Sequence, residues 1–593
     1  MRKLLGSAVA AVLLGAVGLL VAHNASAAVG PGTNYAVDDP FTSARTAWWR
    51  DGKFGMFIHF GDYTAWGGEY RKPDGTICKD AEWIKLNCSI PWDQYEAGAA
   101  KWNPSKFDAT AIVKQARDDG QKYIVFTAKH HDGYAMWPTK VNTWNLRDHS
   151  SFDKTRDILA ELKAAADAQG VKLGLYYSIT DWHEQDAGMP TDQIKKNLYA
   201  QLKELVTNYR PALLWFDGQG RDWWTTADGE NLQSYLRGLD PNLVINNRVT
   251  KKRIVDGDYT TPEREAQIPT SPVKGAPWES CLTTGNRWGW TRYDTWKPTA
   301  QLTRDLLDIV GRDGNLLLNI GPDDTGVIPS AAATQLRGIG TWLNTNGHAD
   351  AVYGATYTGL VDDPTWGAVT RNGNKLYLMV YNWPAAGTPL HLTVHDSFAI
   401  TAAQELGSTA PVTWKASGDG FDVTPSGTAN SSIATVIALT VALQAGGTTG
   451  TGTGLTAQYW TNTTFSGTPA LTRTDPGLNF AWRTKGSPDP AIPADNFSAR
   501  WTGFVQAQFT GPHTFVVVSD ETVKVWINGQ VVIDHSTPHG AAVDSATVNL
   551  TAGKKYAIRI DYTEHTGEAY LKLLWSNPNR RQRIIPTSQL FAS

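Results

Sequence analysis

Asp217 closes the apolar run ALLWFDG (212–218). A carboxylate that follows four apolar residues must be hydrogen-bonded, paired or functional, because burying it uncompensated is costly. The bland alternative is a cap for the next helix. His59 (FIHFG), His130 and His131 (KHHDG), Tyr176 and Tyr177 (LYYS) and Arg248 (NNR) end other apolar runs in the same way. Each alone fits a structural role. Brought to one place, with Trp137, Trp182, Trp215 and Trp288 nearby, they make a pocket for a small polyhydroxylated ring rather than for a phosphate or a greasy ligand. Splitting a glycosidic bond takes two carboxyl groups, one to attack or polarise water and one to protonate the leaving oxygen. Asp217 is the first candidate, and the stretch 258–281, DYTTPEREAQIPTSPVKGAPWESC, offers Glu263, Glu265 and Glu279 for the second. Glu263 follows Pro262 in a loop that can reach over a pocket, while Glu279 reads as fixed in a strand; residue pattern alone leaves the choice open. A metal is not expected: neighbours such as His130 and His131 point apart on an extended backbone, and no His-Glu-x-x-His motif occurs.

The elements that must position these residues alternate. Apolar runs at 55–61, 123–131, 173–178, 212–218, 243–248 and 314–322 are separated by helical patterns such as 107–120, 155–170, 194–209 and 299–314. Runs apolar throughout suit strands covered on both faces, and alternation with helices means a parallel sheet. With polar residues at the C-terminal ends of many successive strands and no Gly-rich fingerprint after the first, the expectation is α/β: a (β/α)8 TIM-like barrel, not an open doubly wound sheet. The catalytic barrel is expected over 28–350. Beyond it, turn-rich alternating segments predict a β-sandwich over 351–445, then a Gly/Thr linker (446–454) too flexible to pack, then a second all-β sandwich over 455–593.

Bulk properties narrow the partners. With 54 basic and 57 acidic residues among 593, the chain has no field suited to a polyanion such as nucleic acid. Its 25 tryptophans tilt the odds towards stacking on sugar rings. Residues 1–27 combine Arg2 and Lys3, an apolar stretch and Ala25-Ser26-Ala27, which reads as a secretory signal peptide rather than a membrane anchor. No later segment is suited to span a membrane. Cys78 and Cys88 enclose a loop short enough to bridge, leaving Cys281 alone.

In order, KFGMFIHFG, the Glu82-Trp83 of AEWI, NPSKFDA, TAKHHDGYAMW, GLYYS, LLWFDG, PWESC, WGW and GNLLLNIGPDDTGVIP resemble the glycoside hydrolase family 29 α-L-fucosidases across about residues 45–355. The resemblance implies an exo-acting, retaining double displacement on a terminal α-linked L-fucose of an oligosaccharide or glycoconjugate. Asp217 takes the nucleophile position and Glu263 that of the acid/base. His59, Glu82, Trp83, His130, His131, Tyr176, Arg248 and Trp288 would line the fucose pocket, with no metal or organic cofactor. The loop around Cys78–Cys88 and Trp66-Gly67-Gly68 is similar to the branch that prefers α1,3/1,4 linkages. Residues 455–593 resemble the β-sandwich named after anthrax protective antigen, in which some members bind glycans through calcium held by paired aspartates; Ser519-Asp520-Glu521 departs from that pair. Two other readings stand beside the fucosidase: a secreted glycan-binding protein with an inactive barrel, and a retaining hydrolase for a related sugar such as L-galactose.

Overall fold

The computed structural model describes residues 38–251, 254–262, 268–395, 398–443, 447–484 and 486–593. The signal-peptide segment and both Glu263 and Glu265 lie outside them.

Seven strands form one parallel sheet: β1 (Phe54–Ile58), β2 (Tyr123–Lys129), β3 (Lys172–Ser178), β4 (Leu213–Asp217), β5 (Val244–Ile245), β6 (Glu279–Thr283) and β7 (Asn315–Ile320). Their order in the sheet is 5-4-3-2-1-7-6. Beyond the two outermost strands, Tyr259 makes a parallel bridge to Asn246 and Thr260 one to Trp278. The sheet curls because its two faces bury different layers. Phe57, Tyr123, Val125, Tyr176, Leu213, Trp215, Val244, Tyr259 and Leu317 form one cluster on the inside. Met56, Ile58, Ile124, Phe126, Leu175, Leu214 and Leu318, their neighbours along the strands, pack outwards in another cluster with the helices. A strand buried on both faces has no polar side, so the periodicity of two disappears from the sequence.

The helices that follow the strands include α1 (Ala109–Asp118), α2 (Ile158–Gln169), α3 (Thr191–Tyr209), α4 (Thr226–Leu239), α5 (Thr299–Gly311) and α6 (Ser330–Leu343). In α2 the Asp157 side chain accepts from the N–H groups of Leu159 and Ala160, and Gly170 ends the helix at φ 71°. Those are the start and stop signals that its sequence carries. Among the described residues no helix is long and apolar enough to cross a membrane.

Two expectations need correcting. The run 243–248 is not a full strand: the ladder stops at Ile245 and Asn247–Val249 turn into a 3-10 helix. The Asn246 side chain takes over, its Oδ1 accepting from Phe216 N at 2.9 Å and its Nδ2 donating to Phe216 O at 3.0 Å. The Gly/Thr linker also packs. Thr448 N donates to Gln508 O (2.9 Å), Gly452 N to Ser588 O (2.9 Å) and Gly454 N to Leu590 O (3.0 Å). A Cβ on Gly450 or Gly452 would stand 2.1 Å from Ser588 O or 1.9 Å from Leu590 O. Glycine serves there for close backbone approach, which composition cannot distinguish from flexibility.

After the parallel sheet come a four-stranded and a three-stranded antiparallel sheet, joined through Leu360, Leu376, Leu378, Leu392, Val423 and Leu439. The C-terminal region holds a seven-stranded and a five-stranded sheet around Tyr459, Trp482, Trp501, Phe515, Ile560 and Trp575. It rests on the first region through Phe41, Ile254 and Val255 against Val516, Val518, Tyr570 and Leu574.

Candidate active site

Asp217 is the last residue of β4, beside Ser178 at the end of β3. Its Oδ1 accepts from Arg248 Nη1 at 2.9 Å, its Oδ2 from the Tyr176 hydroxyl at 3.1 Å, and His131 Nε2 stands 3.7 Å from Oδ2. Burial alone would raise this carboxyl's pKa. The Arg248 charge, His131, the Gly218 N–H and the Arg248 hydrogen bond outweigh burial and hold it at about 2. Arg248 is itself fixed: its Nε donates to Thr261 Oγ1 at 2.8 Å, and its guanidinium lies 4.7 Å over the Trp215 ring. Asp217 is therefore an ionised, oriented carboxylate, not a helix cap.

The histidines form a continuous wall beside it. The rings of His59 and His130 are 5.7 Å apart, those of His130 and His131 4.4 Å, and His130 stacks on Tyr176 at 5.5 Å. His130 and His131 thus serve one pocket, against the expectation that neighbours point apart. β2 ends at Lys129 and the chain turns immediately, so strand alternation no longer governs them. The rest of KHHDG builds that turn. Lys129 Nζ pairs with Asp181 at 3.0 Å, Asp132 accepts from the Tyr134 N–H and the Tyr95 hydroxyl, and Gly133 sits at φ 82°, where a Cβ would lie 2.3 Å from Asp181.

Partners also fix two tautomers. Ser178 Oγ donates its only proton to Thr180 O (2.6 Å), so His131 Nδ1, 2.7 Å from that oxygen, must be the donor. His59 Nδ1 donates to Asn319 Oδ1 at 2.6 Å, and Asn319 Nδ2 donates to Trp288 O at 2.7 Å. Burial pulls both rings down to about 4 and draws His130 well below the usual histidine range, so all three are neutral at pH 7. The Nε2 lone pairs of His59 and His131 are left as acceptors, suited to hydroxyl donors. His130 Nδ1 is buried without a hydrogen-bond partner among the described residues.

The remaining candidates close the rim. Trp288 lies 5.2 Å from the His59 ring, and Trp83, 37% exposed, lies 5.1 Å from His131 and 5.2 Å from Trp182. Glu82 Oε2 accepts from Gly289 N at 2.9 Å, which ties its loop to the Trp288-Gly289-Trp290 segment; burial pushes the Glu82 carboxyl up. The Cys78–Cys88 disulfide staples the loop that carries Glu82 and Trp83, and Cys281 is free and buried. Tyr177 and Trp137 do not reach the pocket. They face the helical layer, where they donate to Gln201 and Glu204 of α3. Sequence reasoning missed Asn319, although it is another polar residue at the end of an apolar run, the signal that singled out Asp217.

Glu279 stands at the opposite end of the sheet from Asp217. It opens β6 opposite Asn315, the first residue of β7, so it lies at the N-terminal end of the parallel sheet. It is fully buried, accepting from Trp49 Nε1 (3.0 Å), the Tyr123 hydroxyl (2.5 Å) and Trp215 Nε1 (3.2 Å). Glu263 lies outside the described residues, in a segment that follows Thr261, the Arg248 partner.

The chain is similar to known proteins. The alpha-L-fucosidase family model matches residues 24–348, and the PA14 domain model residues 452–589. An alpha-L-fucosidase of Branchiostoma floridae is 30% identical over 403 residues, covering 64% of this chain and 88% of its own. The plasma alpha-L-fucosidase of Homo sapiens is 30% identical over 404 residues, covering 62% and 83%. Among solved structures, a GH29 alpha-L-fucosidase from Bacteroides thetaiotaomicron, trapped as a covalent intermediate with 2-fluoro-fucosyl fluoride, superposes with a TM-score of 0.62 at 27% identity over 70% of this chain and 99% of its own. An alpha-L-fucosidase from a Vibrio species, 24% identical with a TM-score of 0.61, covers 92% of this chain and 98% of its own, a likeness of fold. With more than half its length matched by the family model, this chain belongs to the glycoside hydrolase family 29 alpha-L-fucosidases and carries a PA14 domain at its C-terminal end.

Proposed function

We propose that the enzyme removes terminal α-linked L-fucose from oligosaccharides or glycoconjugates by a retaining double displacement, with Asp217 as nucleophile and Glu263 as acid/base. The observation that carries this reading is the ionised Asp217, oriented by Arg248 and Tyr176 beside three neutral histidines. A carboxylate held at about pKa 2 is ready to attack an anomeric carbon across the whole working pH range. The Nε2 acceptors of His59 and His131 take ring hydroxyl protons and so orient the sugar, with Tyr176 donating to Asp217 until the ester forms. Glu263, two residues after Thr261 in the sequence, protonates the leaving oxygen and then deprotonates water. A retaining pair stands about 5–5.5 Å apart, which leaves no room for a water between the carboxyls. The covalent intermediate trapped in the Bacteroides relative supports the same chemistry here.

In this reading Tyr259–Thr260 is the eighth strand of a closed (β/α)8 barrel, supported by its parallel bridges on both sides. The sandwiches divide at 351–445 and 455–593, the enzyme is secreted, and the stapled Glu82–Trp83 loop favours α1,3/1,4 linkages. One experiment tests the core of the proposal: inactivation with a 2-fluorofucosyl reagent followed by peptide mapping. A label on the peptide containing Asp217 is expected; a label elsewhere, or β-L-fucose as the first product seen by NMR, defeats it. Glu263→Ala should spare aryl fucosides with good leaving groups far more than natural glycans. If Glu265→Ala or Glu279→Ala shows that pattern instead, the acid/base assignment fails. Comparing 4-nitrophenyl fucoside with a Lewis trisaccharide decides the linkage preference.

A further inference from the structure

At the N-terminal end of the parallel sheet, opposite Asp217, a cavity of about 760 Å³ is walled by all three regions of the chain. The parallel sheet contributes Lys53 and Asp313, just before β1 and β7; the first sandwich contributes residues 356–359 and Arg371; the PA14 domain contributes residues 576–583. This last stretch includes Arg580-Arg581-Gln582-Arg583, a basic run that the fucose site does not use.

The lining is strongly cationic. Arg50, Lys53, Arg371, Arg580, Arg581 and Arg583 face a single lining carboxylate, Asp313, among the described residues. Asp313 Oδ1 is already shared between Lys53 Nζ (3.1 Å) and Arg581 Nη2 (2.7 Å). The nearby Asp39 accepts from the N–H groups of Phe41 and Ile584 instead. Arg50 donates to Pro40 O and Ser43 O, and Arg371 to Gly373 O and Pro578 O, all neutral acceptors, while Asp39 and Asp51 offset part of the Arg50 charge without a hydrogen bond to it. The Nε atoms of Arg50, Arg581 and Arg583 are buried without hydrogen-bond partners among the described residues. Burial draws Lys53 down to about 8, with Arg581 adding to the effect, and both burial and Arg580 lower Arg371 and Arg583. Cations gathered in a half-buried space, more numerous than the carboxylates around them, repel one another, and bidentate oxyanions are the groups that guanidinium forks fit best. The volume falls within the range of about 300–1,000 Å³ typical of small-molecule sites.

We propose that this cavity binds a small oxyanion, a free sulfate or phosphate or a molecule bearing such groups or carboxylates, and that its occupant clamps the PA14 domain and the first sandwich onto the base of the parallel sheet. Citrate, sulfate and inorganic phosphate are the probes, titrated calorimetrically into the full chain against sodium chloride at matched ionic strength, with thermal unfolding in parallel. At least one should bind saturably, one per chain, with a Kd below about 1 mM, and should raise the Tm. The Arg580→Gln/Arg583→Gln variant, which leaves Lys53, Asp313 and Arg581 in place, should weaken that binding about tenfold or more while fucoside hydrolysis is unchanged; single Arg583→Gln serves if the double variant does not fold. Dilution heats alone for all three anions, or an unaltered Kd in the variant, would overturn the proposal.

Discussion

Two carboxyl groups stand at opposite ends of one sheet and are driven to opposite states. Asp217 at the C-terminal end meets a guanidinium and is held at about 2; Glu279 at the N-terminal end meets only neutral donors and is raised by burial to about 7. Both are hydrogen-bonded, Glu279 by three donors, so the number of bonds does not separate them. A full positive charge offsets desolvation where indole and phenol groups do not. The chemistry of a parallel sheet's C-terminal end and the stability of its base are thus written with the same residue type, and the partner decides which is which.

The largest effect expected is from Asp217→Ala. It removes the proposed nucleophile, so kcat should fall by about four orders of magnitude or more, with azide partly restoring turnover as a fucosyl azide. A modest loss would mean that the ionised end of the sheet does not do the chemistry. Arg248→Met attacks the cause of the ionisation. Without its charge, burial dominates Asp217 and the carboxyl's pKa rises, by about one to three units. Asp217 must be unprotonated to attack, so the acid limb of kcat/KM moves to higher pH by the same amount and activity at pH 4 to 5 drops more than at pH 7. An unmoved limb would assign the low pKa to another group. Asn319→Ala is milder: losing the acceptor for His59 Nδ1–H frees that tautomer, and kcat/KM should fall about tenfold, close to one charge-neutral hydrogen bond, with the acid limb unshifted.

The comparison also shows what sequence can and cannot reveal. Asp217, His59, Arg248 and Asn319 are all polar residues ending apolar runs, and that one pattern marks a C-terminal rim. Asn319 was legible by the same rule, but LLLNI reads as a core strand unless each polar terminus is examined. β6 was legible only at Glu279, which reads as fixed in a strand; as an apolar run it is obscured, because ESCLT carries three polar residues, yet each is buried beside β7. That His130 and His131 lie together depends on where β2 ends, and a change of one residue in that boundary inverts the inference. Of the inter-domain basic cavity the sequence shows only the run Arg580–Arg583, because residues near 50, 371 and 581 meet only after three units have folded.

Glu279→Gln should leave catalysis and its leaving-group dependence untouched while changing how stability depends on pH. Glu279 has a folded pKa of about 7 against 4.5 for the free group. Between those values the native chain keeps a proton that the unfolded chain has released, so stability falls as pH rises through this window and the loss is complete above about 7. A shift of that size corresponds to about 3 kcal/mol. His59 and His131 act the other way: each is lowered from 6.5 to about 4, so each costs stability as pH falls from 6.5 towards 4. In the parent protein the carboxyl and histidine slopes oppose one another. The Glu279→Gln variant loses one of the falling carboxyl slopes while those of Asp119, Asp305 and Glu564 remain, so the difference in urea midpoint between variant and parent should grow in the variant's favour from pH 4.5 to 7. A constant offset between the two proteins at every pH would mean that Glu279 is ionised in the core, and the contrast between the two ends of the sheet would then have to rest on geometry rather than charge.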